Sequence, residues 1–256
     1  MKRILAGNWK MNLLLAEARA LFDEVAAGLR GRGDLACVLF PPATLLAPLA
    51  AALREGDPRL GAQNCHFEPK GAFTGEISAE QARDAGASHV LVGHSERRRL
   101  FCESDPIARQ KLQAAWRAGL KPVLCVGETL AERERRETRD VLARQLRRAL
   151  EGAPSRAPLW VAYEPVWAIG TGVVATAEEV AEAHEWVREE LTLAGRGAAG
   201  AAGNEVPILY GGSVDAKNAG PLARTPGVDG FLVGGASLKA ASFLEIARHL
   251  AAGPPD

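Results

Sequence analysis

Short apolar runs recur along the chain at 4–9 (ILAGNW), 36–40 (ACVLF), 60–64 (LGAQN), 89–93 (HVLVG), 122–126 (PVLCV), 159–164 (LWVAYE), 207–211 (PILYG) and 230–234 (GFLVG). They are rich in Val, Leu and Ile, and most lack polar alternation. That pattern suits strands covered on both faces, as in a parallel sheet. The segments between them carry helical periodicity. In the first, Leu14, Ala18, Leu21, Phe22, Val25 and Leu29 share one face. Ser78 with Gln81, Thr129 with Glu132 and Thr176 with Glu179 have the spacing of capping boxes. Gly86 and Gly119 stand where helices should stop before strands. Eight strands alternating with eight helical connections predict an α/β fold, a single (β/α)8 barrel of parallel strands with outer helices. The Gly/Ala-rich stretch 194–204 reads as a loop before the seventh strand and is too short to join domains. Residues 1–256 are therefore expected to form one barrel domain.

Composition narrows the partners. The 256 residues suit one such barrel. Formal net charge is zero, with 31 basic and 31 acidic side chains, so no basic excess points to nucleic acid or an anionic membrane. Any anionic ligand must be met by local positive potential. The run 131–148 is rich in Arg, but Glu132, Glu134, Glu137 and Asp140 interleave it. It is expected to be a solvated helix face with i,i+4 pairs Glu132/Arg136 and Asp140/Arg144. No apolar stretch reaches signal-peptide or membrane-spanning length. Cys37, Cys65, Cys102 and Cys125 are scattered, with no zinc spacing, which predicts free thiols and a cytoplasmic setting.

In barrels of this kind, chemistry sits at the C-terminal ends of the strands. The first strand ends Asn8-Trp9-Lys10, the fourth at His94, the sixth at Glu164, the seventh at Gly211-Gly212-Ser213 and the eighth at Gly234-Gly235. Taken singly, each has a bland reading: an ion-paired Glu, a satisfied His, a solvated Lys, glycines that only turn the chain. Their coincidence on one rim is what carries information. It unites a base, an acid and a cation with two glycine turns suited to cradling phosphate. Ser95-Glu96-Arg97 reads as a helix start whose positive end should depress the His94 pKa, with Arg97 holding a carboxylate. The segment 165–172 reads as a lid, stiff at Pro165, apolar at Trp167 and Ile169, and permissive at Gly170 and Gly172.

The motifs GNWKMN (7–12), GAFTGEIS (71–78), VGHSERR (92–98), CVGE (125–128), AYEPVWAIGTG (162–172), YGGSV (210–214) and LVGGASL (232–238) span nearly the whole chain. In these the sequence resembles the triosephosphate isomerases. The resemblance implies a TIM barrel that interconverts dihydroxyacetone phosphate and glyceraldehyde 3-phosphate through an enediolate, in glycolysis and gluconeogenesis. It also implies a homodimer with no cofactor and no metal. Carried over by motif, the base falls on Glu164, the electrophilic imidazole on His94 and the cation on Lys10. Asn8, Lys10, Gly170, Ser213, Gly234 and Gly235 become substrate contacts, and Glu96 and Cys125 supporting residues. Loop 65–78, with Phe67 and Phe73, is expected to dock on a partner subunit near its Lys10 and Asn12, with Thr74 at the tip. Val173-Val174 departs from a basic residue followed by a small one, which bears on lid kinetics. Two other readings share the glycine turns or the fold: another phosphate-binding barrel isomerase or aldolase, and a catalytically silent scaffold. An aldolase would need a strand-end lysine within the barrel, and Lys121 starts its strand at the opposite rim. A scaffold should have lost its base, and Glu164 is intact.

Overall fold

The computed structural model describes residues 2–170, 173–196 and 206–251. In chain order the elements are β1 (Arg3–Asn8), α1 (Leu15–Leu29), β2 (Leu35–Phe40), α2 (Ala43–Ala50), β3 (Arg59–Ala62), α3 (Ala79–Asp84), β4 (His89–Val92), α4 (Ser95–Leu100), α5 (Asp105–Arg117) and β5 (Lys121–Val126). They continue with α6 (Leu130–Glu134), α7 (Thr138–Leu150), β6 (Trp160–Tyr163), α8 (Ala177–Leu193), β7 (Ile208–Tyr210), α9 (Ala219–Ala223), β8 (Gly230–Val233) and α10 (Ala240–Ala251). The eight strands close into a barrel in sequence order, parallel throughout, with β1 pairing β8 from Ile4↔Gly230 to Gly7↔Val233. Every apolar run is a strand, which gives the fold expected from the pattern. Apart from β2 and β5, the strands stop one or two residues before the C-terminal ends of the runs. β4, β6 and β7 stop at Val92, Tyr163 and Tyr210, so His94, Glu164 and Ser213 lie just beyond the ladder.

Two apolar layers explain why the strands show no polar alternation. Ile4, Ala6, Val38, Phe40, Leu91, Val123, Cys125, Trp160, Ala162, Leu209 and Leu232 fill the barrel interior. Intervening residues such as Leu5, Leu39, Leu124, Val161 and Phe231 pack outward against the helices. Large and small side chains interlock inside: a Cβ on Gly61 would lie 2.3 Å from the Phe40 ring, so that position has room only for glycine.

Local signals predicted the helix ends well. All three capping boxes form. Gly86 and Gly119 adopt φ of +98° and +73° just after α3 and α5, where a side chain would be strained. Two expectations fail. Leu14 leaves the buried face of α1, because it caps the helix, donates its backbone N–H to the Glu17 carboxylate and lies exposed. The run 131–148 is two helices, broken at Arg136, whose φ is +60°. The i,i+4 pairs expected there do not form. Glu132 is engaged by its own cap at Thr129, and Arg144 reaches Asp105 (3.3 Å) and Glu132 (3.7 Å). Other arginines of α7 bridge to α8, through Arg139–Glu189 and Arg147–Glu190. The four cysteines are free thiols. Of the loop 194–204, residues 197–204 lie outside the described residues, as do Thr171 and Gly172 of the expected lid.

Candidate active site

A cleft of about 560 Å3 opens at the C-terminal ends of the strands. Asn8, Lys10, His94, Glu164, Gly170, Ser213, Gly234 and Gly235 all line it, so the barrel brings together the strand-end residues singled out from the sequence. Cys125 does not line it. That side chain belongs to the barrel interior, where burial pushes its thiol pKa up, and its carbonyl accepts from Arg98 (3.4 Å).

Glu164 and His94 form the centre. The carboxylate is 2% exposed; Oε1 lies 3.0 Å from His94 Nε2, and Oε2 accepts the Ser95 backbone N–H at 2.8 Å. His94 caps α4, and its Nδ1 accepts the Glu96 amide at 3.2 Å. The ring proton therefore belongs on Nε2, toward Glu164. Burial pushes Glu164 up, but the His94 ring and the Ser95 amide together hold it below the usual carboxylate range. Burial likewise disfavours charge on His94, but the facing carboxylate lifts it above the ordinary imidazole value. This overturns the depression expected from the helix start. The helix end is present, yet a carboxylate at 3.0 Å outweighs it.

The cation is held by its backbone. Lys10 adopts φ of +51°, a strained conformation for a side chain of this kind. Its N–H donates to Asn8 Oδ1 (3.0 Å), its carbonyl accepts from Gln63 Nε2 (2.8 Å), and Nζ pairs with Glu96 Oε1 at 2.5 Å. Asn8 Nδ2 lies 3.3 Å from His94 Nε2. The glycine turns give backbone access: a Cβ on Gly234 would stand 3.5 Å from Lys10 Cε, and one on Gly211 would press within 3.0 Å of Glu164 Cγ. Ser213 Oγ is engaged rather than free, donating to the Ala168 carbonyl at 2.6 Å and tying the lid segment to the β7 turn. Pro165 leads into a short 3-10 turn, Val166–Ala168, and Gly170 has φ of +70°.

Comparison with known proteins matches this geometry to one family. The triosephosphate isomerase family model matches residues 3–250. A triosephosphate isomerase of Xanthobacter flavus is 51% identical over 245 residues, covering 96% of each chain. One of Citrifermentans bemidjiense is 47% identical, covering 97% of this chain and 98% of its own. The crystal structure of triosephosphate isomerase from Bartonella henselae superposes with a TM-score of 0.87 at 43% identity, covering 97% of this chain and 99% of that one. The chain belongs to the triosephosphate isomerase family.

Around this isomerase cleft lies a supporting layer that the motifs alone did not expose. Gln63 directly follows β3 and donates to both the Lys10 and Phe40 carbonyls (2.8 Å each); it stands at a strand end from which no candidate was drawn. Glu103, beyond α4, accepts from the Gly93 N–H (2.8 Å), Arg97 (2.8 Å) and Lys111 (2.5 Å). Burial pushes Glu103 up, but these partners hold it below the carboxylate range. Arg97 thus pairs with a carboxylate, as expected. Glu128, the last residue of CVGE, anchors the start of the lid. Its carboxylate accepts from Trp167 Nε1 (2.7 Å) and Tyr163 (3.2 Å), its carbonyl accepts from the Val166 N–H, and Arg133 stacks on the Trp167 ring. No sequence signal separates such carboxylates from ordinary surface acids, because the groups they hold sit on other elements.

Proposed function

We propose that the chain interconverts dihydroxyacetone phosphate and D-glyceraldehyde 3-phosphate, the aldose–ketose step of glycolysis and gluconeogenesis. The observation that carries the reading is the buried carboxylate of Glu164, 3.0 Å from His94 Nε2 in the cleft that Lys10 and the glycine turns line. A carbon acid beside a carbonyl is weak, so the enediolate formed on proton removal must meet preorganised positive charge and N–H donors. Glu164 is assigned as the base that takes the carbon-bound proton and returns it to the neighbouring carbon. His94 and Lys10 stabilise the developing oxyanion, with Asn8 beside them. Gly170, Ser213, Gly234 and Gly235 are assigned to the phosphate, with Glu96 and Cys125 as supports. A carboxylate base with a neutral imidazole is the established pattern of this family.

The contact between Glu164 and His94 points to how the base is armed. Once substrate oxygens separate Glu164 from His94, the attraction holding both pKa values is lost and burial dominates each. The carboxylate becomes more basic and the imidazole more firmly neutral, as proton abstraction requires. This chemistry calls for no metal or cofactor.

The chain is further proposed to act as one barrel domain over 1–256, as a cytoplasmic homodimer. Loop 65–78 supports the dimer in part. Phe73 is 42% exposed and stacks on His66, while Phe67 packs against the chain's own core and needs no partner. Nearby Met11 is 95% exposed. Sedimentation should give about twice the 27.1 kDa chain mass; a species of chain mass alone would refute the dimer. The isomerase reading is tested by a coupled assay with glyceraldehyde 3-phosphate in the presence of a chelator. Turnover is expected. Glu164→Ala should lower kcat by about 10²–10⁴-fold or more, because a positioned base supplies that much. A folded chain without turnover would favour a silent scaffold or another phosphate-binding isomerase.

A further inference from the structure

The opposite mouth of the barrel is unlike a stability rim. A cavity of about 330 Å3 lies at the N-terminal ends of the strands, lined by Lys2, Arg59, Lys121, His89, Asp57 and Trp160 among others. A second chamber of about 370 Å3 shares Lys2, Lys121 and Trp160, and adds Arg156 and Arg196. Positive charge is thus concentrated here although the chain is neutral overall. Two carboxylates stand near this mouth, and Asp34 interacts with Lys2 at longer range. Asp34 is held by Arg32 at 3.1 and 3.3 Å, and Asp57 accepts the Arg54 backbone N–H at 2.8 Å. Among the described residues, Lys2, Arg59 and Lys121 have no carboxylate within ion-pairing distance; the Lys121 ammonium lies over the Trp160 ring at 5.3 Å. Burial lowers the Lys121 pKa, and the nearby Arg59 adds to the shift.

His89 adds a second, independent observation. It is 2% exposed, and its ring packs on Trp160. Ser88 Oγ donates its one proton to the Leu60 carbonyl (2.9 Å), so His89 Nδ1, 2.8 Å away, donates to Ser88 Oγ. That leaves Nε2 as a bare acceptor, and it is buried with no partner. Burial, reinforced by Lys121 and Arg59, depresses this imidazole to about 3, so it stays neutral near pH 7. Unpaired cations and an unfilled buried acceptor are both unfavourable unless something completes them. An ion that suits both is a dianion that also carries an O–H.

We propose that this N-terminal mouth binds a hydrogen phosphate ion, with Lys2, Arg59 and Lys121 meeting its charge and His89 Nε2 accepting its hydroxyl, at a site separate from the catalytic cleft. Sulfate has the same shape and charge but no O–H near neutral pH, so it separates the two contributions.

The test follows the Trp160 indole N–H signal in ¹H–¹⁵N spectra of the intact protein, assigned with Trp160→Phe. Phosphate is titrated at constant ionic strength into wild type and an Arg59→Gln/Lys121→Gln variant. Phosphate in the catalytic cleft, on the far side of the barrel, does not contact Trp160. The wild-type signal is expected to shift saturably. In the variant the half-saturation concentration should rise by roughly tenfold or more, since charged hydrogen bonds are being removed, while kcat and KM stay at wild-type values. Sulfate should bind several-fold more weakly than phosphate. If the double variant fails to fold, Lys2→Gln, at the exposed edge of the mouth, replaces it with the same expectation. A Trp160 signal that never saturates, or one equally sensitive in the folded variant, overturns the site. Sulfate binding as tightly as phosphate overturns the role of His89.

Discussion

At the C-terminal rim, charges meet opposite charges: Lys10 with Glu96, His94 with Glu164, and Arg97 and Lys111 with Glu103. At the N-terminal rim, Lys2, Arg59 and Lys121 gather without a carboxylate partner among the described residues. The first arrangement fixes geometry. Each proposed catalytic group has a partner that holds it in place, and strain at Lys10 is retained because Asn8 and Gln63 hold its backbone. The second leaves binding capacity unspent. Polarity at a barrel mouth therefore does not by itself mark chemistry; the pairing of charges distinguishes a preorganised site from an open one.

The largest effect should come from the segment expected to act as a lid over the paired rim. Deleting Ala168 through Thr171 removes the Ser213–Ala168 tie and the segment around Gly170. Loop closure is an established feature of this family. The deletion variant should remain folded and lose kcat by about 10²–10³-fold or more, the scale of lost electrostatic stabilisation. The enediolate, no longer shielded from water, should then expel phosphate, so methylglyoxal released per turnover should rise. An unchanged ratio in a folded variant would show that the segment only packs on the rim.

Breaking a pair at the same rim should be next. Glu103→Gln leaves Lys111 buried with Asn64 as its remaining partner. Urea denaturation should show a loss of about 3 kcal/mol, the usual consequence of stranding a buried charge. A loss below ~1 kcal/mol would mean that the network is ornamental.

Acid should act through the buried neutral histidines. Burial depresses His89 to about 3 and His184 to about 4, against an ordinary value of 6.5. The unfolded chain therefore takes up protons first. Stability is full above pH 6.5 and falls as pH drops toward those folded-state values, by about 2 kcal/mol per histidine at pH 5. Denaturation midpoints at pH 7 and 5 should differ less in His184→Gln than in wild type; equal differences would contradict the assignment.

The smallest effect sharpens the contrast between the rims. Lys121→Gln removes a half-buried, unpaired cation next to Arg59. Stability should be unchanged or slightly raised, whereas Glu103→Gln lowers it. A marked fall in Tm would reveal a partner at the N-terminal mouth and undo the comparison.

The sequence exposed the strands because both faces of each are buried, which makes the runs continuously apolar. It exposed the proposed catalytic trio because the barrel sends each strand end to one rim. Gln63, Glu103 and Glu128 were not singled out, since each acts on groups that belong to other elements. The His94 shift was misjudged for a related reason. The local helix start was visible in Ser95-Glu96-Arg97, but the carboxylate that overrides it comes from β6. Leu14 and the break at Arg136 depended on how the chain enters a helix, which periodicity does not report.

The central claim is that Glu164 moves the carbon-bound proton. Turnover in deuterium oxide, followed by NMR of recovered substrate and product, tests it directly. Wild type should wash deuterium into the carbon that gains the returned proton. Glu164→Ala should lose deuterium incorporation and isomerisation by the same factor, with the circular dichroism spectrum unchanged. A folded Glu164→Ala variant that still exchanges deuterium at the wild-type rate would contradict the claim.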